Sequence, residues 1–167
     1  MIPTRKLAYL RALTVASTFP GLLIGRDCRA EEAFYLGAFK IASAVVAPWV
    51  EPGETPSDAE AKSLVGKTIT LAAHAVDGPG SFPCKNPQYE ILEGGADILF
   101  QGTFGEMSVK DSKIDPQALA DRIGLPGKSY RTVVTGCEFE VDFSFPAGND
   151  NLAAFGLNDY VYLLERQ

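Results

Sequence analysis

Cys137 to Phe145 reads CEFEVDFSF, and in it Cys137, Phe139, Val141, Phe143 and Phe145 alternate strictly with Glu138, Glu140, Asp142 and Ser144. Successive side chains of a strand point to opposite faces, so the stretch predicts a strand with one face in a core and the other in water. Register follows as well, because a slip of one residue would bury three carboxylates.

Outward from this segment the chain keeps a β pattern broken by turn formers. Downstream, Pro146 to Asn151 (PAGNDN) reads as a loop and Tyr160 to Glu165 (YVYLLE) as the last strand. Upstream, Ser129 to Thr135 reads as a strand, preceded by one short helix. That helix has Asp115 as N-cap, Pro116 at its first position and Gly124 as its stop, with Leu119 and Ile123 on one side. Tyr89 to Leu92 and Asp97 to Thr103 read as two strands of a hairpin turned at Gly94-Gly95. Lys67 to Val76 reads as a strand with Ile69, Leu71, Ala73 and Ala75 on one face, ended by the turn Asp77-Gly78-Pro79-Gly80. Ser57 to Lys62 suits one or two helical turns. In the first strand Tyr35, Phe39, Ile41, Val45 and Trp49 share one parity.

Seven or eight strands with one short helix, no internal repeat and no alternation with long helices point to an all-β, mainly antiparallel fold. Closure removes exposed strand edges, so a small closed β-barrel is the expected architecture. In its order of short strands the chain resembles lipocalin-like or other calycin-like barrels in general architecture, although Trp49 does not stand in a Gly-x-Trp motif.

The N-terminal segment reads as an address. Arg5, Lys6 and Arg11 form a basic region, and Ala12 to Gly25 (ALTVASTFPGLLIG) carries no charge. That run matches a signal peptide's apolar region and is shorter than the roughly 20 residues a membrane helix needs. Cys28-Arg29-Ala30 offers small residues for cleavage before Glu31. The expected organisation is a signal peptide at 1–30 and one barrel domain at 31–167, periplasmic or secreted, with no stable membrane span after cleavage.

Net charge is −6 for the whole chain, and residues 31–167 carry 10 Lys+Arg against 20 Asp+Glu, a net −10. Such a balance argues against nucleic acid as a partner. Removing the leader takes Cys28 with it and leaves Cys84 and Cys137, an even pair that an exported chain is expected to join as a disulfide.

Chemistry-bearing motifs are few. His74 is the single histidine, no Gly-x-Ser-x-Gly elbow is present, and Gly66-Lys67-Thr68 lacks the earlier glycine of a phosphate-binding loop. Glu138, Glu140 and Asp142 read as a solvated strand face before they read as catalytic carboxylates or calcium ligands. No catalytic set, metal centre or cofactor is expected. The aromatic residues are the stronger signal, because a barrel of about eight strands is just wide enough to hold one small ligand. Trp49, Phe82, Tyr89 and Phe100 are the candidate ligand-binding residues, for a small apolar or amphipathic molecule. The alternative is a protein-binding module, an inhibitor or an envelope assembly factor, presenting Phe82 on the loop Asp77–Pro87 held by Cys84.

Overall fold

The computed structural model describes residues 33–167; the leader expected at 1–30 lies outside them. The strands are β1 (Gly37–Val46), β2 (Thr68–Ala72), β3 (Ala75–Asp77), β4 (Cys84–Lys85), β5 (Glu90–Gly94), β6 (Tyr130–Val134), β7 (Phe143–Pro146), β8 (Leu152–Leu157) and β9 (Tyr160–Arg166). Helices are α1 (Ala59–Leu64), α2 (Thr103–Lys110) and α3 (Pro116–Arg122), with a 3-10 turn at Ala96–Ile98. All strands form one antiparallel sheet in the order β4-β3-β2-β1-β9-β8-β7-β6-β5, curled into a half-barrel.

The expected closed barrel is corrected here: β4 and β5 do not pair, so the ladder is open between them. One continuous segment spans the gap. Asn86 N–H donates to His74 O on the β3 side, and Gln88 N–H donates to Thr135 O on the β6 side. The chain thus changes partner within two residues instead of bonding to both sides at once. Cys84 and Cys137 bring β4 and the β6–β7 loop together at disulfide distance, with Cα atoms 6.1 Å apart.

At its centre, over β8 and β9, the sheet buries both faces. Inside the curl, Phe39, Ile41, Ile69, Leu71, Phe143, Phe145, Phe155 and Tyr162 fill the space and are all fully buried. Each such side chain contributes about 1.5–3 kcal/mol of transfer free energy. On the outer face, Ala154, Val161 and Leu163 of β8 and β9 are covered by Leu99, Phe104, Leu119 and Ile123 from the excursion between β5 and β6. Two-sided burial explains why β9 reads as the near-continuous apolar run YVYLL.

Several local readings change. CEFEVDFSF follows its alternation of burial as far as Phe143, but Ser144, expected in water, is fully buried and shares a hydrogen bond with Thr132 at 2.9 Å, and only Phe143–Pro146 joins the ladder. Cys137 to Glu140 form a turn, with Glu140 N–H donating to Cys137 O and Glu140 at φ +49°. In β1 the register against β9 shifts between Ile41 and Ser43. This bulge sends Val45 and Trp49 to the outer core while Phe39 and Ile41 stay inside, so the expected single parity breaks there. Lys67–Val76 is a hairpin, with Ala73 and His74 as the two residues of its turn. Asp97–Thr103 forms no strand: a 3-10 turn ends at Ile98 and a left-handed run at Phe100–Gly102 leads into α2. The helix at Pro116 forms as its caps dictate: Asp115 Oδ1 accepts from Gln117 N–H at 2.9 Å, and Gly124 turns left-handed (φ +86°) where the helix stops.

Candidate functional site

Among the described residues, five non-glycine residues have backbones in the left-handed region, and four of them, Phe100, Gln101, Glu140 and Asn158, line one cleft. A bulky residue such as Phe100 rarely adopts that conformation, at a cost on the order of 1–3 kcal/mol, whereas Asn158 takes it readily in the two-residue β8–β9 turn. Such outliers cluster where function holds them. The cleft is half-enclosed, about 140 Å³, and is completed by Trp49, Thr103, Asp142 and Gly156.

Each wall has a local cause. Trp49 follows β1, and its indole N–H donates to Asn158 O at 2.9 Å, anchoring the ring over the β8–β9 turn. Phe100 lies at the start of the helical excursion, 5.4 Å from Trp49 between ring centroids and 5.0 Å from Phe104. Thr103 Oγ1 donates to Phe100 O at 2.6 Å, holding the left-handed run against α2. Gln101 Nε2 donates to Glu140 O at 2.6 Å, tying that run to the segment before β7.

The floor is Gly156 of β8. A Cβ there would sit 2.9 Å from Trp49 Cη2 and 3.1 Å from Phe100 Cδ1, closer than ordinary carbon contact. The glycine is what lets the two rings meet over the strand.

Behind the cleft, Glu60 of α1 accepts from Asn158 Nδ2 at 2.7 Å and from Tyr162 Oη at 3.1 Å. One carboxylate therefore fixes the turn whose carbonyl holds Trp49. Burial, together with this hydrogen bond to Glu60, pushes the Tyr162 phenol well above its ordinary range. Asp142 is half-buried, and desolvation raises its carboxyl above the usual carboxylate range. Glu140 is exposed at the rim.

The four aromatic candidates separate. Trp49 and Phe100 share the cleft. Phe82 is 3% exposed and packs inside the curl against Phe139 and Phe155, with centroids at 5.2 and 5.4 Å. It therefore presents no side chain to a partner from the Asp77–Pro87 loop. Tyr89 lies at the gap between β4 and β5, its ring tilted at 49° against Tyr35 with centroids 4.7 Å apart and its hydroxyl donating to Ala72 O at 2.9 Å. Burial, then the neighbouring Tyr35, pushes its phenol up to about 12. Its place is that of a brace across the open ladder.

Sequence reasoning did not single out Glu140 and Asp142 as partners of Trp49, nor Gly156 as their floor. The signal available was Gly156 itself, an isolated glycine between apolar residues, which in a strand marks a close approach. Glu138, Glu140 and Asp142 do not assemble as one three-carboxylate set, and no group of three His, Cys, Asp or Glu suited to a metal occurs among the described residues. No helix among the described residues is long and apolar enough to cross a membrane. Compared with protein-family models, curated proteins and solved structures, the chain finds no match.

Proposed function

We propose that the chain is an exported, non-enzymatic binding protein for a small amphipathic molecule, held at the Trp49–Phe100 cleft. One observation carries this reading: strained backbone from two separate segments, 100–101 and 140, converges with the β8–β9 turn on a single small cavity with an aromatic wall. The curled sheet's interior is occupied by its own phenylalanines and Tyr162, so the ligand sits at the rim instead of within the sheet. A volume near 140 Å³ is close to that of a cavity that holds one benzene ring, which sets the scale of the ligand's buried part. Export is supported by the leader pattern and by the Cys84–Cys137 pair.

Trp49 is the chain's one tryptophan, so intrinsic emission reports the cleft directly. Small amphiphiles of cationic, neutral and anionic type are titrated against the purified protein, with Trp49→Phe as the silent control. At least one class is expected to move the emission with saturation. Amide shifts confined to other surfaces, with Trp49 unmoved by every class, would sink the proposal.

A further inference from the structure

Taking the cleft to be a ligand site, we propose that it selects organic cations: an ammonium or quaternary ammonium group on a short apolar stem. The inference rests on what the cleft contains and on what it lacks. Its lining holds two carboxylates, Glu140 and Asp142, and no lysine, arginine or histidine.

Among the described residues the protein's ion pairs are Lys62–Asp58, Lys110–Glu106 and Arg131–Asp150, so neither cleft carboxylate has an internal counterion. Among the described residues, no hydrogen-bond donor reaches the Asp142 carboxylate either, although the residue is half-buried. Desolvating a charge without a partner is unfavourable. A neutral apolar ligand would deepen that penalty, an anion would add repulsion, and a cation would remove both.

The opposite wall suits the same charge. Trp49 and Phe100 meet at 57° between ring planes, forming an aromatic corner beside the carboxylates. A cation within about 6 Å of such rings is attracted by their quadrupoles, most strongly by tryptophan. In the proposed complex the ammonium head is shared between the aromatic corner and the carboxylate-bearing residues of the same lining, while its stem runs against the rings. The raised carboxyl of Asp142 agrees with a site that lacks its counterion, because a bound cation favours the ionised form. The net −10 of residues 31–167 adds a long-range field that concentrates cations near the surface.

The test compares probes of one shape and different charge. Choline, its neutral carbon isostere 3,3-dimethylbutan-1-ol and the anion 3,3-dimethylbutanoate are titrated against the full-length protein, with Trp49 emission as readout. Choline is expected to bind at least 10-fold more tightly than the alcohol, with the anion weakest. Asp142→Asn should reduce the choline preference to less than about 3-fold, by weakening choline and strengthening the alcohol, which no longer buries an unpaired charge. Glu140→Gln, at an exposed position, is the second variant and should reduce the preference by a smaller factor. Equal affinity for choline and the alcohol, both shifting Trp49, would overturn cation selectivity and leave the cleft a ligand site. Silence from all three probes would overturn both readings. A cation preference that survives Asp142→Asn and Glu140→Gln together would overturn the role given to the carboxylates.

Discussion

Breaking the link between Cys84 and Cys137 should cost this fold a large part of its stability. The bond closes a loop with a sequence separation of 53, and the chain-entropy treatment gives about 4 kcal/mol for removing that restraint from the unfolded state. In the folded state the loss falls where the ladder is weakest, since β4 has two residues and no partner on its β5 side. For a domain of this size about 4 kcal/mol corresponds to a fall in Tm of about 10–15 °C. Cys84→Ala, Cys137→Ala and the double variant are unfolded in urea and by heat. Either single substitution should cause nearly the whole loss, and the double variant should lose little more. The urea m-value should rise in all three, because an unlooped denatured chain exposes more surface. Wild-type protein reduced with dithiothreitol should match the double variant. Single losses that add in the double variant, or a loss below about 1 kcal/mol, would refute the reasoning.

Three more outcomes follow from the cleft and its support. Gly156→Val forces Trp49 and Phe100 apart; overpacking of this kind costs about 1–3 kcal/mol, and thermal melts with emission spectra should show that loss beside a shifted Trp49 band. Glu60→Ala leaves the buried Tyr162 hydroxyl without its acceptor and frees Asn158, for a loss of about 1–3 kcal/mol read by urea unfolding, with Trp49 emission moving as the turn loosens. Asp142 has a raised carboxyl in the folded state, so its favourable contribution is complete below the unfolded value and is lost as pH rises through the folded one. Asp142→Asn should therefore stabilise the unliganded protein at neutral pH, and the advantage should vanish in acid; a constant difference across pH, measured by Tm, would contradict the assignment.

Burial was more legible in the sequence than pairing. Cys137, Val141, Phe143 and Phe145 of CEFEVDFSF are buried as its alternation predicts, whereas Ser144 is buried against it because Thr132 on the neighbouring strand satisfies its hydroxyl. Its first half leaves the ladder because the link at Cys137 and the bond from Gln101 to Glu140 O bend the backbone, and both arise from distant segments. The helix at Pro116 was readable because cap chemistry is local. Strand β8 was not, since LAAFGL has the alanines and glycine of a weak strand former and is stabilised by the layers on either side of it. The bulge between Ile41 and Ser43 leaves no mark in composition, so nothing local announced that Trp49 would face outward to meet Phe100. Phe100 and Gln101 carry no local signal for the left-handed region; the packing of the excursion against β8 and β9 and the bonds to Thr103 and Glu140 hold them there.

The pairing of β1 with β9 also gives the molecule a front and a back. Phe39 lies opposite Arg166, and Gln167 N–H donates to Ala38 O, so the two ends of the described chain leave side by side at one pole. Val46 lies opposite Tyr160 at the other pole, where Trp49 and Asn158 build the cleft. The ten residues of β1 put roughly 33 Å between the poles. A surface, bead or fusion partner attached through the C-terminus would thus hold the protein by its back and leave the cleft facing solution.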